Sequence, residues 1–256
     1  MKKAILLILP ILFLSCDKKE IFAGPNSYSD SFEGYTEINE TVDGDNINWS
    51  FFQKTYAENE LSIDTTFFHS GNKSFKSFAV AGTSEGASKA SINKQFMAFW
   101  EDETVVIDMW YYVVGTENAD WMFLFDIEEK TAIGAGPGMR LALVDNFLRV
   151  EHKYPNPDIK QELGAEVEFP RDQWVNIRFE SKLSQKNEGS VKVWQDDVLI
   201  IEQYDWKTLP KDILYATQGT KGMYSQIEFG VTANASDNPM TVYVDDISVS
   251  IVDLFS

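Results

Sequence analysis

Gln173-Trp174-Val175-Asn176-Ile177-Arg178-Phe179-Glu180 alternates polar and apolar residues through most of its length. Successive side chains on a strand point to opposite faces. Val175, Ile177 and Phe179 therefore share one face, and Trp174, Asn176, Arg178 and Glu180 share the other. One side suits a core and the other water, as in an antiparallel sheet with a single buried face. The same period recurs elsewhere. In 105–113, Ile107, Met109 and Tyr111 oppose Asp108, Trp110 and Tyr112; in 224–231, Ile227, Phe229 and Val231 oppose Tyr224, Gln226 and Glu228. Further β-branched and aromatic runs fall at 74–80, 90–96, 121–127, 139–144, 147–154, 189–195, 198–203 and 241–251. Turn-forming residues at Asn72, Gly115, 134–138, 155–157 and 234–239 punctuate them. No stretch sustains a helical period, so the chain is expected to be all-β, a single sandwich of antiparallel sheets over residues 32–253.

The lone cysteine, Cys16, follows Met1-Lys2-Lys3 and an apolar run from Ala4 to Leu14. A basic start, an apolar run of about ten residues and a small residue before a cut site describe a secretory leader. The run is shorter than the roughly 20 apolar residues that span a bilayer. Residues 1–15 thus read as a signal peptide. Phe13-Leu14-Ser15-Cys16 resembles the lipobox of bacterial lipoproteins, with Phe13 where Leu is usual. That resemblance implies that Cys16 is acylated, with palmitate among its chains, and anchors the protein to the outer membrane. Asp17-Lys18-Lys19-Glu20 resembles the export signal that sends Bacteroidetes lipoproteins to the cell surface, with residues 16–31 as a lipidated tether. Acylation of Cys16 leaves no thiol for a disulfide, a zinc cluster or a nucleophile. The formal charge of −18 becomes about −20 without the leader and disfavours nucleic acid as a partner.

Aromatic rings cover the apolar faces of pyranoses, while amides and carboxylates take their hydroxyls. The outward sets Asp108, Trp110, Tyr112 and Tyr224, Gln226, Glu228 are therefore expected to floor a glycan-binding groove. The alternative is that a loop covers this face and the rings only pack.

Several segments resemble jelly-roll domains of the concanavalin-A-like and carbohydrate-binding-module kind. They are Asp30-Ser31-Phe32-Glu33-Gly34 followed by Trp49, the loop His69-Ser70-Gly71-Asn72-Lys73-Ser74, and Val242-Tyr243-Val244-Asp245-Asp246-Ile247. In those modules the equivalent positions often hold a structural calcium. The resemblance implies Glu33, the backbone near Gly71 and Lys73, and Asp246 as its ligands, a set of oxygens suited to a hard cation. Residues 169–174 and 191–197 resemble the C-terminal half of heparin-lyase-I-like polysaccharide lyases. The expected function is glycan capture at the surface of the outer membrane, with polysaccharide as ligand and SusC/SusD-type uptake proteins as partners.

A lyase is the alternative. β-Elimination on a uronate needs a group to neutralise the carboxylate, a base for the C5 proton and an acid for the leaving oxygen. With only two histidines in the chain, His152 and Tyr154 form the best acid–base pair, with Arg140, Arg149, Lys153 or Gln226 as neutralisers. Strand parity turns His152 and Tyr154 toward the Leu148/Val150 side, which argues against them. Asp126-Ile127-Glu128-Glu129 faintly resembles the paired glutamates of retaining glycosidases and is expected to be a solvated turn.

Overall fold

The computed structural model describes residues 24–117, 119–131, 134–152, 158–209 and 223–252. Its strands are β1 (Tyr28–Asp30), β2 (Phe51–Lys54), β3 (Glu60–Asp64), β4 (Ser74–Ala79), β5 (Ser88–Trp100), β6 (Thr104–Val113) and β7 (Met122–Thr131). They continue with β8 (Gly134–Val144), β9 (Phe147–His152), β10 (Trp174–Lys182), β11 (Gly189–Gln195), β12 (Val198–Trp206), β13 (Met223–Asn234) and β14 (Met240–Val252). One sheet has eight strands in the order β12-β11-β10-β6-β14-β4-β3, with β1 added beside β14. The other has six, ordered β2-β5-β13-β7-β8-β9. Every pairing between named strands is antiparallel. The protein is a jelly-roll β-sandwich.

The alternation of β10 is realised as read: Val175, Ile177 and Phe179 are buried, and their neighbours are partly exposed. Three elements differ from the sequence reading. β1, placed in the tether from sequence, pairs through Tyr28–Asp30 with Ile247, Ser248 and Val249 of β14. β2 and β3 were not foreseen; runs of three to five residues hold too few alternations to stand out. The 134–138 segment, expected as a turn, extends β8 along β7. Gly138 suits that position because a Cβ there would lie 2.1 Å from the carbonyl oxygen of Ile127.

An aromatic column ties the two sheets together. Phe32 stacks on Trp49 with ring centroids 6.0 Å apart, Trp49 meets Phe229 edge-on at 5.9 Å, and Phe229 and Phe179 each lie 5.4 Å from Phe125. Each buried polar edge has a partner: the Trp49 indole donates to Asp30 Oδ2 at 2.7 Å. The Tyr111 hydroxyl of β6 donates to the carbonyl of Leu124 on β7 and accepts from the amide of Gly230 on β13. Tyr111 thereby crosses the interface between the sheets with both hydrogen bonds satisfied. The buried Lys94 ammonium donates to the carbonyls of Asn46, Ile47 and Asn48, folding the 43–48 loop around a single cation.

Candidate functional site

The outward face of the six-stranded sheet collects polar side chains in adjacent strands. Register sets Asn93 (β5) beside Glu228 (β13), Glu228 beside Asp126 (β7), Asp126 beside Arg140 (β8) and Arg140 beside Glu151 (β9). These residues take the face opposite Ile92, Ile127, Leu141, Val150 and Phe229, which fill the core. A second row sets Gln95, Gln226 and Glu128 side by side. Asn93, Asp126, Gln226 and Glu228 are at most 4 % exposed. So many polar groups out of water persist only if they satisfy one another or a ligand.

Gln95 Nε2 donates to Gln226 Oε1 at 2.9 Å, and Gln226 Nε2 donates to Asn93 Oδ1 at 3.0 Å. The Asn93 Nδ2 group has no partner among the described residues. Arg140 Nε lies 2.9 Å from Asp126 Oδ1 in a close ion pair, at an angle too bent for an aligned hydrogen bond. Its Nη1 is 3.5 Å from Glu151 Oε1, and its guanidinium carbon sits 4.5 Å from the centroid of the Phe123 ring. Trp121 packs edge-on to Phe123 at 4.3 Å and hydrogen-bonds Glu151. An arginine beside an aromatic wall, flanked by carboxylates and amides, can bind a sugar carboxylate and its neighbouring hydroxyls.

Burial, reinforced by Asp126 and Glu128, pushes the Glu228 carboxyl up to about 8, against the opposing pull of Lys89 and Ser91. Glu228 is therefore a neutral acid at pH 7 and can donate a hydrogen bond. Its Oε1 accepts one from the Ser91 hydroxyl. Glu151 is also raised, by burial first, with Arg140 opposing.

The expected groove divides in two. Asp108, Trp110 and Tyr112 lie on the outward face of the eight-stranded sheet, whereas Gln226 and Glu228 lie on the other sheet. Parity assigns a side chain to a face of its own strand and is silent on which sheet that strand joins. The Trp110 face is also closed: the His69 ring stacks on it at 3.6 Å, and Phe67 lies against Tyr112 and Tyr243. The 67–69 loop covers this row, the alternative weighed from sequence. Tyr224 is not on the floor either. A register shift between Tyr224 and Gln226 breaks the alternation, and Tyr224 is fully buried, its hydroxyl donating to the Thr208 carbonyl at 2.5 Å.

His152 Nε2 lies 3.3 Å from that same carbonyl, and its ring meets Trp206 edge-on. Burial lowers its pKa to about 4, against the hydrogen bond to Thr208. His152 thus faces the core side, as its parity indicated. Tyr154 and Lys153 lie outside the described residues, as does Cys16. Asp126 and Glu128, expected in a solvated turn, are buried within β7. Their alternation with Phe125 and Ile127 was the signal that places them on the floor. Asn93, Gln95 and Glu151 had no motif to mark them.

The residues inferred to bind calcium do meet at one corner, but as nitrogen donors against oxygens. Glu33 Oε1 accepts from the backbone amides of Asn72 and Lys73 at 2.7 and 2.8 Å. Gly71, at φ +63°, admits that carboxylate where a Cβ would stand 2.3 Å from it. The Lys73 ammonium binds the carbonyls of Glu33 and Tyr35, which a cation would need. Asp246 is held by His69 Nδ1 at 2.7 Å and the Ser70 hydroxyl at 3.0 Å. This donor set does not fit calcium, which takes six to eight oxygen ligands. No cluster of three acidic, histidine or cysteine groups among the described residues suits a metal.

A profile of the polysaccharide lyase family matches residues 41–248. No curated protein matches the sequence. Among solved structures, the chain is similar to an endo-β-1,4-glucuronan lyase from the fungus Trichoderma reesei, with TM-score 0.65 and 12% identity over 89% of this chain and 95% of that one. It is similar to the cellulose-induced protein Cip1, with TM-score 0.60 and 17% identity over 87% and 96% of the two chains. It is also similar to the alginate lyase Aly36B bound to an alginate trisaccharide, with TM-score 0.59 and 10% identity over 90% and 100%. At these identities the likeness is one of fold.

Proposed function

The chain belongs to the polysaccharide lyase family, and from that premise we propose that it cleaves a uronate-containing glycan by β-elimination on the outward face of the six-stranded sheet. The observation that carries this is the Arg140 cluster, a cation held between Asp126 and Glu151 beside the unpartnered amide of Asn93 on one polar sheet face. Arg140, the free amide of Asn93 and the protonated Glu228 supply the donors that withdraw charge from a uronate carboxylate and acidify its C5 proton. Among the described residues, Glu151 is best placed to take that proton; as the C4–O bond breaks and the C4=C5 double bond forms, the same carboxyl returns the proton to the leaving oxygen. Glu151 is close to Arg140, partly exposed, and made more basic by burial. His152 has no part in this reading, since its ring is spent on the core side.

The test is the ultraviolet absorbance of unsaturated uronate products on incubation with glucuronan, alginate and ulvan. A rising trace on one of them is expected, and Arg140→Ala should lower its rate about 100-fold or more, the scale of one lost charge-stabilising donor. A flat trace on all three overturns the reading.

Glycan capture at the cell surface remains part of the proposal through the leader rather than the sandwich. Acylation of Cys16 would hold the lyase at the outer membrane beside SusC/SusD-type uptake proteins. Metabolic labelling with palmitate tests this, with Cys16→Ala expected to lose the label; an equal label in that variant overturns the anchor.

A further inference from the structure

We propose that the pocket between the β8–β9 turn and the 158–169 segment is a second uronate-binding subsite, holding a sugar unit of the polymer beside the one that reacts. The identity of the polymer rests on the lyase reading above. The pocket encloses about 260 Å³ and is lined by Arg149, Lys160, Asp145 and Glu166, with Phe147 in its wall. Arg149 lies two residues along β9 from Glu151 and on the same face, about 7 Å away at the rise of a strand. The pocket therefore continues the polar floor toward the sheet edge.

Its charges are not spent on one another. Among the described residues, the sole ion pair of Arg149 is with Asp158 at 3.9 Å, beyond hydrogen-bond distance. Lys160, Asp145 and Glu166 form no ion pair there. The wall is built rather than collapsed: the buried Gln161 amide donates to the carbonyls of Leu148 and Val167 and accepts from the amide of Val167. Lys160, without an ion pair, and Arg149, held only at 3.9 Å by Asp158, suit one carboxylate, and the carboxylates of Asp145 and Glu166 suit hydroxyls. A uronic acid presents both; a neutral hexose leaves the cations unpaired, and a bare anion meets the two carboxylates.

The experiment titrates the chain with sodium glucuronate and with glucose, followed by nuclear magnetic resonance, and measures KM and kcat on glucuronan and alginate. Arg149→Ala and Lys160→Ala are compared with Lys76→Ala, a charge control on the opposite sheet. Glucuronate is expected to bind in preference to glucose, about tenfold or more weakly in each pocket variant, with the difference shrinking at high salt. In turnover the loss should fall on KM. Pocket variants that match the wild type in glucuronate affinity overturn the subsite, whatever the product trace shows. So does a wild type that does not distinguish glucuronate from glucose. Weakened glucuronate binding in the variants with no unsaturated product from any polymer keeps the subsite and overturns the lyase.

Discussion

Glu228 carries its chemistry through its surroundings. Asn93, Asp126 and Gln226 hem it in, and the resulting desolvation raises its carboxyl to about 8. The folded state therefore holds a proton that the unfolded chain releases near pH 4.5. A group bound more tightly to its proton in the native state stabilises at low pH and ceases to do so as pH rises. The melting temperature should thus fall between about pH 4.5 and about 8, and level off above. Glu228→Gln, neutral at every pH, should flatten that slope in calorimetric scans; an unchanged slope would assign it to other groups. Activity should decline over the same upper limb, because ionised Glu228 repels the uronate that its protonated form helps to bind. No sequence motif announces this residue. Its face was legible from the alternation with Ile227 and Phe229, whereas its pKa depends on neighbours from two other strands, β5 and β7.

At the scale of elements, what was legible was the alternation inside each strand. The face assignments of β6 and β10 hold because a strand buried on one side needs every second residue apolar. The failures share one cause. Whether β6 and β13 belong to the same sheet is decided by which strands pair, and their pairing partners lie far apart in the chain. Tyr224 fails for a local reason, since a bulge resets the alternation next to it. Bulges also demand particular residues. Gly230 has φ +113°, and a Cβ there would lie 2.9 Å from the carbonyl oxygen of Ala90. Its amide also donates to the Tyr111 hydroxyl at 3.1 Å. Gly230→Ala should therefore destabilise the sandwich by about 2 kcal/mol or more in chemical denaturation, from strain and a displaced β5–β13 ladder. Tyr111→Phe removes the bridging hydroxyl and leaves Gly230 N–H and Leu124 C=O without it, at a cost of about 1–3 kcal/mol.

For the whole molecule, the two outward faces of the sandwich are built to opposite ends. On the eight-stranded side, aromatic rings meet one another: His69 lies over Trp110, Phe67 over Tyr112 and Tyr243, and Trp174 edge-on to Tyr112. The His69 ring is in turn held by Asp246 and its backbone amide by Asp245, so the loop that roofs Trp110 is tied to β14. That face stabilises the fold. On the six-stranded side the Asn93 amide has no partner among the described residues and Arg140 is shared between Asp126 and Glu151, so polar groups rather than stacked rings fill the face we assign to the ligand. The division yields a paired prediction that sequence alone would have reversed. Trp110→Ala should lower stability by about 1–3 kcal/mol through lost stacking and packing, while kcat/KM on the cleaved glycan stays near the wild-type value. Arg140→Lys should do the opposite, keeping a cation beside the buried Asp126 and so largely sparing the fold, while lowering product formation because the planar guanidinium fork is lost. Denaturation and product formation measured on both variants decide between the faces. A Trp110 variant that folds normally but no longer turns over glycan would move the working surface to the eight-stranded sheet.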